Sequence, residues 1–485
     1  MWSRNLLVSC NLRKHLLRST SKIAVEVNPD VQRQLENAEL KPQHHPGRCK
    51  TGNIILPPYV VKGITRAIGD YPIKTLHREA EAMNKCLSSR HRPPEEAEIN
   101  QKVSAIQHEI EADNQTPDIS MHDLSEKESE KLRKQQAQRI QKVLKERVVA
   151  WRPMSYGHFE ALLYALGRGS MEYTILTKIF MEIIKRDPQF KPRSYFDFGS
   201  GVGTGMWAAS NFWKNTIFEY FNVDSSRDMN ELSDLILREG NENQQSLLKN
   251  VFYRQFLPAT ETKYNLIISS FSLFELPNSQ ARKEVILNLW RKCDGYLVII
   301  EQGTRAGFEL VSEARQYILK QKKPEVKGHV FSPCPHDLPC PRRTNKTDRT
   351  PCNFEVSYDT LPIGALVTKR NSTYSYVVLK AGERDLNDES NDWPRIVRET
   401  LVRKKHSICR LCTSEGNLQE IIFTTSKHGK FAYKCAKSSK WGDRLPIKVG
   451  EKFETNAVND NKDKNTSQGN EDENRIQDNN QPPVN

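Results

Sequence analysis

The chain changes its pattern of hydrophobic and polar positions at about residue 154. Apolar residues recur at helical spacing between Phe159 and Ile183, and short apolar runs then alternate with further helical patterns. This alternation predicts an α/β fold in which helices cover a parallel, doubly wound sheet. The predicted strands are 194–198, 217–223, 264–270, 295–301, 353–358 and 374–381, and one further helix is predicted over 305–320.

The regions on either side of this sheet differ from it in composition. The N-terminal side is highly charged and largely helical in pattern, and in the C-terminal part Glu420–Thr424 and Lys430–Lys434 are predicted to form a small β-hairpin. The predicted segments are a transit peptide (1–25), a charged, largely helical region (26–150), the sheet domain (151–382) with a cysteine-containing loop (323–352), a small C-terminal domain (383–450) and a disordered tail (451–485).

The first 25 residues carry five basic residues among serines and leucines, with no acidic residue before Glu26. This composition is typical of a mitochondrial transit peptide, and an ordinary basic helix is the alternative. No later segment approaches the roughly 18 consecutive apolar residues of a membrane span. We therefore expect a monomeric protein of the mitochondrial matrix that does not insert into a membrane.

The charge of the chain points to a polyanionic partner. The formal net charge is +13, and the last 35 residues carry a net charge of −4, so the remainder carries +17. Such an excess suits RNA, although a merely basic surface would account for it as well. The stretch Lys427–Lys437 interleaves basic and aromatic residues, a mixture that can neutralise phosphates and stack bases.

A glycine-rich turn with glycines at 199, 201 and 203 follows the first predicted strand directly and leads into a helix. A dinucleotide-binding fingerprint would require a third glycine where Thr204 or Met206 stands, and no P-loop lysine follows. The pattern from Asp197 onward is D-x-G-x-G-x-G, which resembles motif I of the class I S-adenosylmethionine-dependent methyltransferases. Asp224 ends the next predicted strand, where a carboxylate would accept hydrogen bonds from ribose hydroxyls. The cofactor-binding residues implied are Asp197, Gly199, Gly201, Gly203 and Asp224.

The groups that would carry out methyl transfer are harder to recognise. An enzyme acting on a base amine commonly has an Asn or Asp before Pro-Pro-aromatic after the fourth strand, but the sequence there is Ser269-Ser270-Phe271-Ser272. A cysteine nucleophile is missing at the ends of the predicted strands 264–270 and 295–301, where Ser270 and Glu301 stand. Glu275 and Glu301 could act as bases, although such carboxylates are more often structural. We therefore name no catalytic residue, and both an inactive methyltransferase fold and an active enzyme with unconventional groups remain open.

Six of the ten cysteines follow residue 330, which suggests metal ligands in a reducing compartment. Cys334 and Cys340 lie in a proline-stiffened loop, Cys352 follows, and Cys409 and Cys412 form a C-x-x-C pair. Four such thiolates can bind an iron-sulfur cluster or a zinc ion. Unligated structural cysteines are a further alternative, as is a separate zinc site. That site would use Cys409, Cys412, His428 and Cys435, with His336 then joining the three loop cysteines.

Several sequence blocks together carry a closer resemblance. They are the glycine turn, 271–276, 301–304, Cys334–Pro341, Trp393–Ile396 and Trp441–Asp443. Over about residues 150–448 the chain resembles the methyltransferase-like protein 17 family of mitochondrial ribosome assembly factors. The resemblance implies a class I methyltransferase-like doubly wound sheet with a helical N-terminal extension, a cysteine-rich insertion and a small C-terminal β unit.

The same resemblance implies cofactors and partners. It implies S-adenosylmethionine in the glycine-turn pocket and a four-iron four-sulfur cluster bound by Cys334, Cys340, Cys352 and Cys412, with Cys409 as the less favoured neighbour of Cys412. It also implies binding to the assembling mitochondrial small ribosomal subunit, through its rRNA and its proteins.

Overall fold

A computed structural model describes residues 23–113, 125–147, 153–321, 324–345, 347–364 and 366–451. Residues 25–449 form one compact unit. A second unit comprises residues 1–24 and 450–485, of which only 23, 24, 450 and 451 are described. The predicted transit peptide and disordered tail therefore lie almost wholly outside the described residues.

Strands and helices alternate through the middle of the chain. The strands are β1 Ile23–Val27, β2 Ser194–Phe198, β3 Glu219–Val223, β4 Val251–Arg254, β5 Tyr264–Ser270, β6 Cys293–Gln302, β7 Gly328–Ser332, β8 Phe354–Asp359, β9 Lys369–Ala381, β10 Arg395–Ile396, β11 Leu401–Val402, β12 Ser407–Cys412, β13 Leu418–Phe423 and β14 Ile447–Glu451. The α-helices are α1 Pro29–Glu36, α2 Pro58–Ile68, α3 Ile73–Ser88, α4 Glu96–Asp113, α5 Glu126–Arg147, α6 His158–Arg186, α7 Thr204–Trp213, α8 Arg227–Leu237, α9 Ser279–Arg291, α10 Arg305–Leu319, α11 Pro341–Thr344 and α12 Thr425–Ser438.

The central sheet has eight strands in the order β4-β3-β2-β5-β6-β9-β7, with β8 paired to β9. The first five strands of this order are parallel, and β9 runs antiparallel to β6, β7 and β8. The predicted doubly wound α/β sheet is confirmed, and its carboxyl edge carries the glycine turn. Strand β7 lies inside the segment that the sequence analysis treated as a loop.

Helices pack on both faces of the sheet. One face packs against α2, α6, α7 and α8 around fully buried residues such as Trp207 and Tyr195. The other face packs against α9 and α10 around Trp290 and Leu310. Helix α6 covers the whole stretch between Phe159 and Ile183, where the apolar spacing predicted helical structure.

The C-terminal part contains a small antiparallel sheet in which β12 pairs with β10, β11 and β13. The predicted hairpin is wrong in its second strand, because Lys430–Lys434 lies in helix α12 and β13 pairs with β12 instead. The hydroxyl of Thr424 accepts a hydrogen bond from the N–H of Lys427 at 3.2 Å and so caps the start of α12. Ala432, Cys435 and Ala436 are buried at helical spacing, which explains why a helix forms.

Candidate functional site: a donor pocket and a thiol cluster

The glycine turn joins β2 to α7 with three residues in the left-handed region. Gly199, Gly201 and Gly203 have φ angles of 72°, 51° and 91°. Only glycine adopts such angles without strain, so the three glycines are needed for the backbone path. The turn is anchored to β3 because the N–H of Gly199 donates to the carbonyl of Val223 at 2.8 Å.

The glycines also differ in the space around them. A Cβ atom on Gly199 would lie 2.4 Å from the Cβ of Ser272, and one on Gly203 would lie 2.5 Å from the Oγ of Ser233. At Gly201 the nearest atom is the Cε1 of Tyr164, at 3.9 Å. The turn is therefore tightly packed at its two ends and open at its centre, where a ligand can approach the backbone.

Asp224 lies directly beside the turn. Its Oδ2 accepts the N–H of Gly201 at 2.9 Å, and its Oδ1 accepts the N–H of Ser226 at 2.9 Å. Burial raises the pKa of the Asp224 carboxyl, and these two backbone donors oppose that rise. A carboxylate has about four acceptor positions, so each oxygen can still accept a ribose hydroxyl.

Asp197 lies behind the turn. The hydroxyl of Tyr195 donates to its Oδ2 at 2.7 Å, and its buried Oδ1 has no hydrogen-bond partner among the described residues. Burial raises the pKa of Asp197 to about 7. A Cβ on Gly205 would lie 2.5 Å from Oδ2, so Gly205, which the motif does not include, lets α7 begin against this carboxyl.

Helix α6 forms a further wall of the pocket that sequence reasoning missed. Arg168 and Glu172 are both buried, and the Nε of Arg168 donates to the Glu172 carboxylate at 2.8 Å. The hydroxyl of Tyr164 donates to the same oxygen at 2.6 Å, and the guanidinium of Arg168 lies 4.6 Å from the ring centroid of Phe271. An arginine and a glutamate four residues apart within an apolar helix were the available signal.

The two glutamates that could act as bases lie near the carboxyl ends of β5 and β6. Glu301 is fully buried, and its Oε1 accepts the N–H of Leu273 at 2.7 Å. Its Oε2 has no partner in the described part of the chain, and burial raises the pKa of Glu301 to about 8. Glu275 instead pairs with Arg90 and accepts the N–H of Met154 at 3.1 Å.

Four of the cysteine thiols, which we call the thiol cluster, interact electrostatically in the structure. Burial raises the pKa of the Cys412 thiol well above its usual value, and the next causes are the neighbouring thiols of Cys334, Cys352 and Cys340. Burial likewise raises the pKa of the Cys352 thiol, and the neighbouring thiols of Cys334 and Cys340 are the next causes of this rise. These four thiols come from the loop after β7, the residue before α11, the segment before β8 and the end of β12.

Basic residues and a histidine surround this thiol cluster. The Nε2 atom of His336 lies 3.4 Å from the Sγ of Cys412, and burial lowers the pKa of His336 to about 4. Arg315 donates from Nη2 to the carbonyls of His336 and Leu338, each at 2.9 Å. Arg315 therefore holds the cysteine loop to α10, and the prolines of the loop stiffen it.

The alternative zinc ligands are not brought together. Cys409 and Cys412 are three residues apart in strand β12, so their side chains point to opposite faces of the sheet. The Sγ of Cys409 has the hydroxyl of Thr400 at 3.8 Å, whereas Cys435 is buried in a separate apolar cluster. Within the described ranges, no three His, Cys, Asp or Glu side chains lie close enough to hold a single metal ion, and this applies to the four thiols of the thiol cluster as well.

None of the helices in the described residues is long and apolar enough to span a bilayer.

The strand order, the glycine turn and the carboxylate after β3 define a class I methyltransferase-like protein. Residues 158–446 match the family model described as mitochondrial small ribosomal subunit Rsm22. A human protein named ribosome assembly protein METTL17, mitochondrial, is 33% identical over 423 residues, which cover 86% of this chain and 88% of the human protein. The chain therefore belongs to the mitochondrial small ribosomal subunit Rsm22 family.

More distant relatives share a smaller part of the chain. The ribosome assembly protein RSM22, mitochondrial, of Saccharomyces cerevisiae is 24% identical and covers 52% of this chain and 61% of its own. Among solved structures, magnesium protoporphyrin IX methyltransferase from Synechocystis with bound SAM has a TM-score of 0.29 at 12% identity, covering 48% of this chain and 86% of its own. A SAM-dependent methyltransferase from Aquifex aeolicus has a TM-score of 0.28 at 11% identity, and the match covers 46% of this chain and 99% of the Aquifex chain. These scores are low, and the fold assignment depends on the strand order.

Proposed function

We propose that this protein is an assembly factor of the mitochondrial small ribosomal subunit that works in the matrix, with residues 1–25 as its transit peptide. The observation that carries the proposal is membership of the Rsm22 family, together with a human relative named as a ribosome assembly protein. The net charge of +13 supports binding to rRNA as well as to ribosomal proteins.

The methyltransferase-like domain binds S-adenosylmethionine in this proposal. Asp224 accepts the ribose hydroxyls, and the turn at Gly201 leaves room for the ligand to approach the backbone. The buried Asp197 supports the turn from behind through Tyr195 and Gly205. The ligand would lie at the carboxyl edge of the sheet, where open α/β sheets bind their ligands.

Methyl transfer is not part of the proposed function. The segment after β5 offers Ser270 and Phe271 where a base-amine enzyme has a carbonyl acceptor and prolines. Phe271 lies beneath the guanidinium of Arg168, which itself pairs with Glu172. The arginine thus covers one face of this aromatic ring, which leaves that face closed to a target base.

The thiol cluster is proposed as the site of a four-iron four-sulfur cluster bound by Cys334, Cys340, Cys352 and Cys412. Four thiolates are the ligand set of such clusters, and the thiols of Cys334, Cys340 and Cys352 all contribute to the raised pKa of Cys412, which supports this grouping. When bound, the cluster supplies four iron–thiolate bonds that cross-link the cysteine loop to β12.

The cysteine loop also carries basic residues. Arg342 pairs with Asp348 at 3.0 Å, Arg343 lies 3.7 Å from Glu309, and Arg349 follows. Fixing the loop would therefore also fix the exposed Arg343 and Arg349 for contact with rRNA. We expect Cys340→Ser to weaken small-subunit association as well as stability. Normal association of a folded, metal-free Cys340→Ser protein would contradict this link.

The assembly role is tested in cells that lack the protein. Mature small subunits are expected to fall in sucrose-gradient profiles, and wild-type protein should restore them; unchanged profiles would reject the role. Rescue with the Gly199→Arg plus Gly201→Arg variant then tests whether the protein acts as an assembly scaffold or as an active methyltransferase. If this variant fails and one modified nucleotide of the small-subunit rRNA disappears, the active methyltransferase is the correct function.

The metal is tested on anaerobically purified protein. Iron and sulfide in equal amounts and a broad absorption band near roughly 400 nm are expected for the cluster. Colourless protein that carries zinc would reassign the site to a structural zinc ion.

A further inference from the structure

One face of the central sheet lacks its helix at one end. Helices α7, α8 and α9 connect β2 to β3, β3 to β4 and β5 to β6, but residues 255–263 connect β4 to β5 without a helix. Parallel sheets are normally covered on both faces because each crossover places a helix there. On the face against which α9 packs, β3 and β4 therefore carry no helix, and we call this part the bare face.

A row of phenylalanine rings runs out of the core onto this bare face. Phe196 in β2 is in register with Phe221 in β3, and Phe221 is in register with Phe252 in β4. The first two rings stack at 5.6 Å between centroids with an interplanar angle of 8°, and Phe252 follows at 6.3 Å. Phe196 is fully buried, whereas Phe252 is 41% exposed and Phe256 is 81% exposed.

An arginine lies between the two exposed phenylalanines in the sequence. Arg254 follows Phe252 by two residues in the edge strand β4, so strand alternation places both side chains on one side, and Phe256 follows in the bend just after the strand ends. Its guanidinium lies 5.9 Å from the ring centroid of Phe221. Its hydrogen bond is to the carbonyl of Tyr253 at 2.8 Å, and no carboxylate within the described residues pairs with it.

We infer that the bare face formed by Phe221, Phe252, Arg254 and Phe256 binds single-stranded RNA by base stacking. Exposed aromatic rings on a sheet surface stack two or three bases in other RNA-binding folds, and an arginine between them supplies charge and a further planar surface. An apolar protein segment fits less well, because docking it would bury an unpaired guanidinium in the middle of the contact. The positive charge of the chain favours the polyanion.

The position of this face makes it relevant to the donor pocket. The N–H of Asp224 donates to the carbonyl of Arg254 at 3.0 Å, and the side chain of Gln255 reaches the carbonyl of Ser225 at 3.4 Å. RNA stacked on Phe252 and Phe256 would therefore run toward the carboxyl edge where Asp224 lies. The inference depends on the proposed function, since it names the surface through which an assembly factor holds rRNA.

The test uses the full chain and a fluorescently labelled 12-nucleotide single-stranded RNA of mixed sequence, with binding measured by anisotropy. Phe252→Ala combined with Phe256→Ala should weaken binding by at least roughly 5-fold, the lower end of the range for losing one stacked base. Phe252→Tyr combined with Phe256→Tyr should bind like wild type, because the rings remain. Leu366→Ala, at an apolar residue that is 90% exposed and lies elsewhere on the chain, is the matched control.

A leucine pair separates stacking from general hydrophobicity. Phe252→Leu combined with Phe256→Leu keeps apolar surface but no aromatic ring, so it should bind RNA as weakly as the alanine pair. Leucine variants with wild-type RNA affinity would overturn the inference, as would an alanine pair that binds normally.

Cosedimentation with small subunits distinguishes this inference from the proposed function. If wild-type protein cosediments and the alanine pair loses both RNA affinity and cosedimentation, the bare face is an rRNA contact. If the alanine pair loses cosedimentation but keeps its RNA affinity, a protein partner docks there and the inference is wrong. If wild-type protein does not cosediment at all, the proposed function itself fails.

Discussion

The carboxylate of Glu182 and the guanidinium of Arg395 form a fully buried ion pair, with Nη2 2.6 Å from Oε1. Arg395 also donates from Nε to the carbonyl of Pro333 at 2.9 Å and from Nη1 to the carbonyl of Gly442 at 2.7 Å. One arginine of the C-terminal part thus holds helix α6 and the backbone just before Cys334. The ion pair connects the sheet domain to the thiol cluster.

Replacement of this carboxylate should destabilise the protein strongly. Glu182→Gln leaves Arg395 buried without its counter-charge, for which we expect a loss of about 3–5 kcal/mol in the free energy of unfolding. Guanidinium chloride denaturation at pH 7 measures it. Glu420→Gln removes a half-exposed pair with Arg410 and should cost less than about 1 kcal/mol. Equal losses in the two variants would contradict this account.

The same pair should shape the acid limb of stability. Burial alone would raise the pKa of Glu182, but Arg395 and Arg186 lower it below its usual range. A lowered folded-state pKa contributes stability that is fully present above the unfolded value of about 4.3 and is lost as pH falls below it. Glu182→Gln should therefore flatten the fall in stability between pH 5 and pH 2. Denaturation across this range, with wild type in parallel, gives the comparison.

Glu301 should produce the opposite trend at higher pH. Its folded-state pKa is raised to about 8, so its contribution is fully present below about 4.3 and is lost as pH rises through 8. Glu301→Gln should make the protein more stable than wild type at pH 9, on the order of 5 kcal/mol at about 1.4 kcal/mol per pKa unit. Urea denaturation at pH 5.5 and pH 9 measures this difference. The exposed Glu242→Gln should change neither value, and a pH-independent effect of Glu301→Gln would refute the assignment.

Two glycines of the turn should differ in their response to alanine. Gly199→Ala adds both a strained φ angle and a clash with Ser272, whereas Gly201→Ala adds strain at an open position. We expect Gly199→Ala to lower stability by about 2 kcal/mol or more and Gly201→Ala by about 1 kcal/mol. Gly201→Ala should nevertheless weaken S-adenosylmethionine binding in calorimetry, because the ligand approaches there. Unchanged affinity in a folded Gly201→Ala protein would move the ligand away from this turn.

The two cysteines of strand β12 provide a matched pair. Cys412→Ser should lower iron and sulfide content to a small fraction of wild type, because it removes a thiol of the cluster. Cys409→Ser changes an equally buried thiol on the other face of the same strand and should leave the iron content unchanged. Iron and sulfide assays on both anaerobic proteins decide between them, and the reverse result would make Cys409 the ligand.

Much of the sheet was predictable because its strands are short apolar runs between clear turn residues. The runs at 264–270 and 194–198 match β5 and β2 residue for residue. Strand β7 was missed because Gly328–Ser332 is only five residues long and adjoins a proline-rich segment. The strand predicted at Lys430–Lys434 was wrong because alternating basic and aromatic residues suggested a strand where burial follows a helical period.

The residues of the candidate site also differ in how far the sequence alone could predict them. The turn glycines and Asp224 follow from a local motif, and the structure places them side by side. The pairs Arg168–Glu172 and Glu182–Arg395 lie within buried surroundings that local pattern does not reveal, the second across 213 residues. The C-x-x-C motif suggested a shared ion, but in a strand the two thiols face opposite ways.

Helix α6 extends over 29 residues, with Glu172 against the donor pocket and Glu182 against the C-terminal part. Ten residues of helix correspond to about 15 Å, and each residue turns the chain by about 100°. Inserting or deleting one residue between the two glutamates would swing one away from its partners whatever the local sequence. We therefore expect that substitutions in the middle of helix α6 are tolerated better than any insertion or deletion between Glu172 and Glu182.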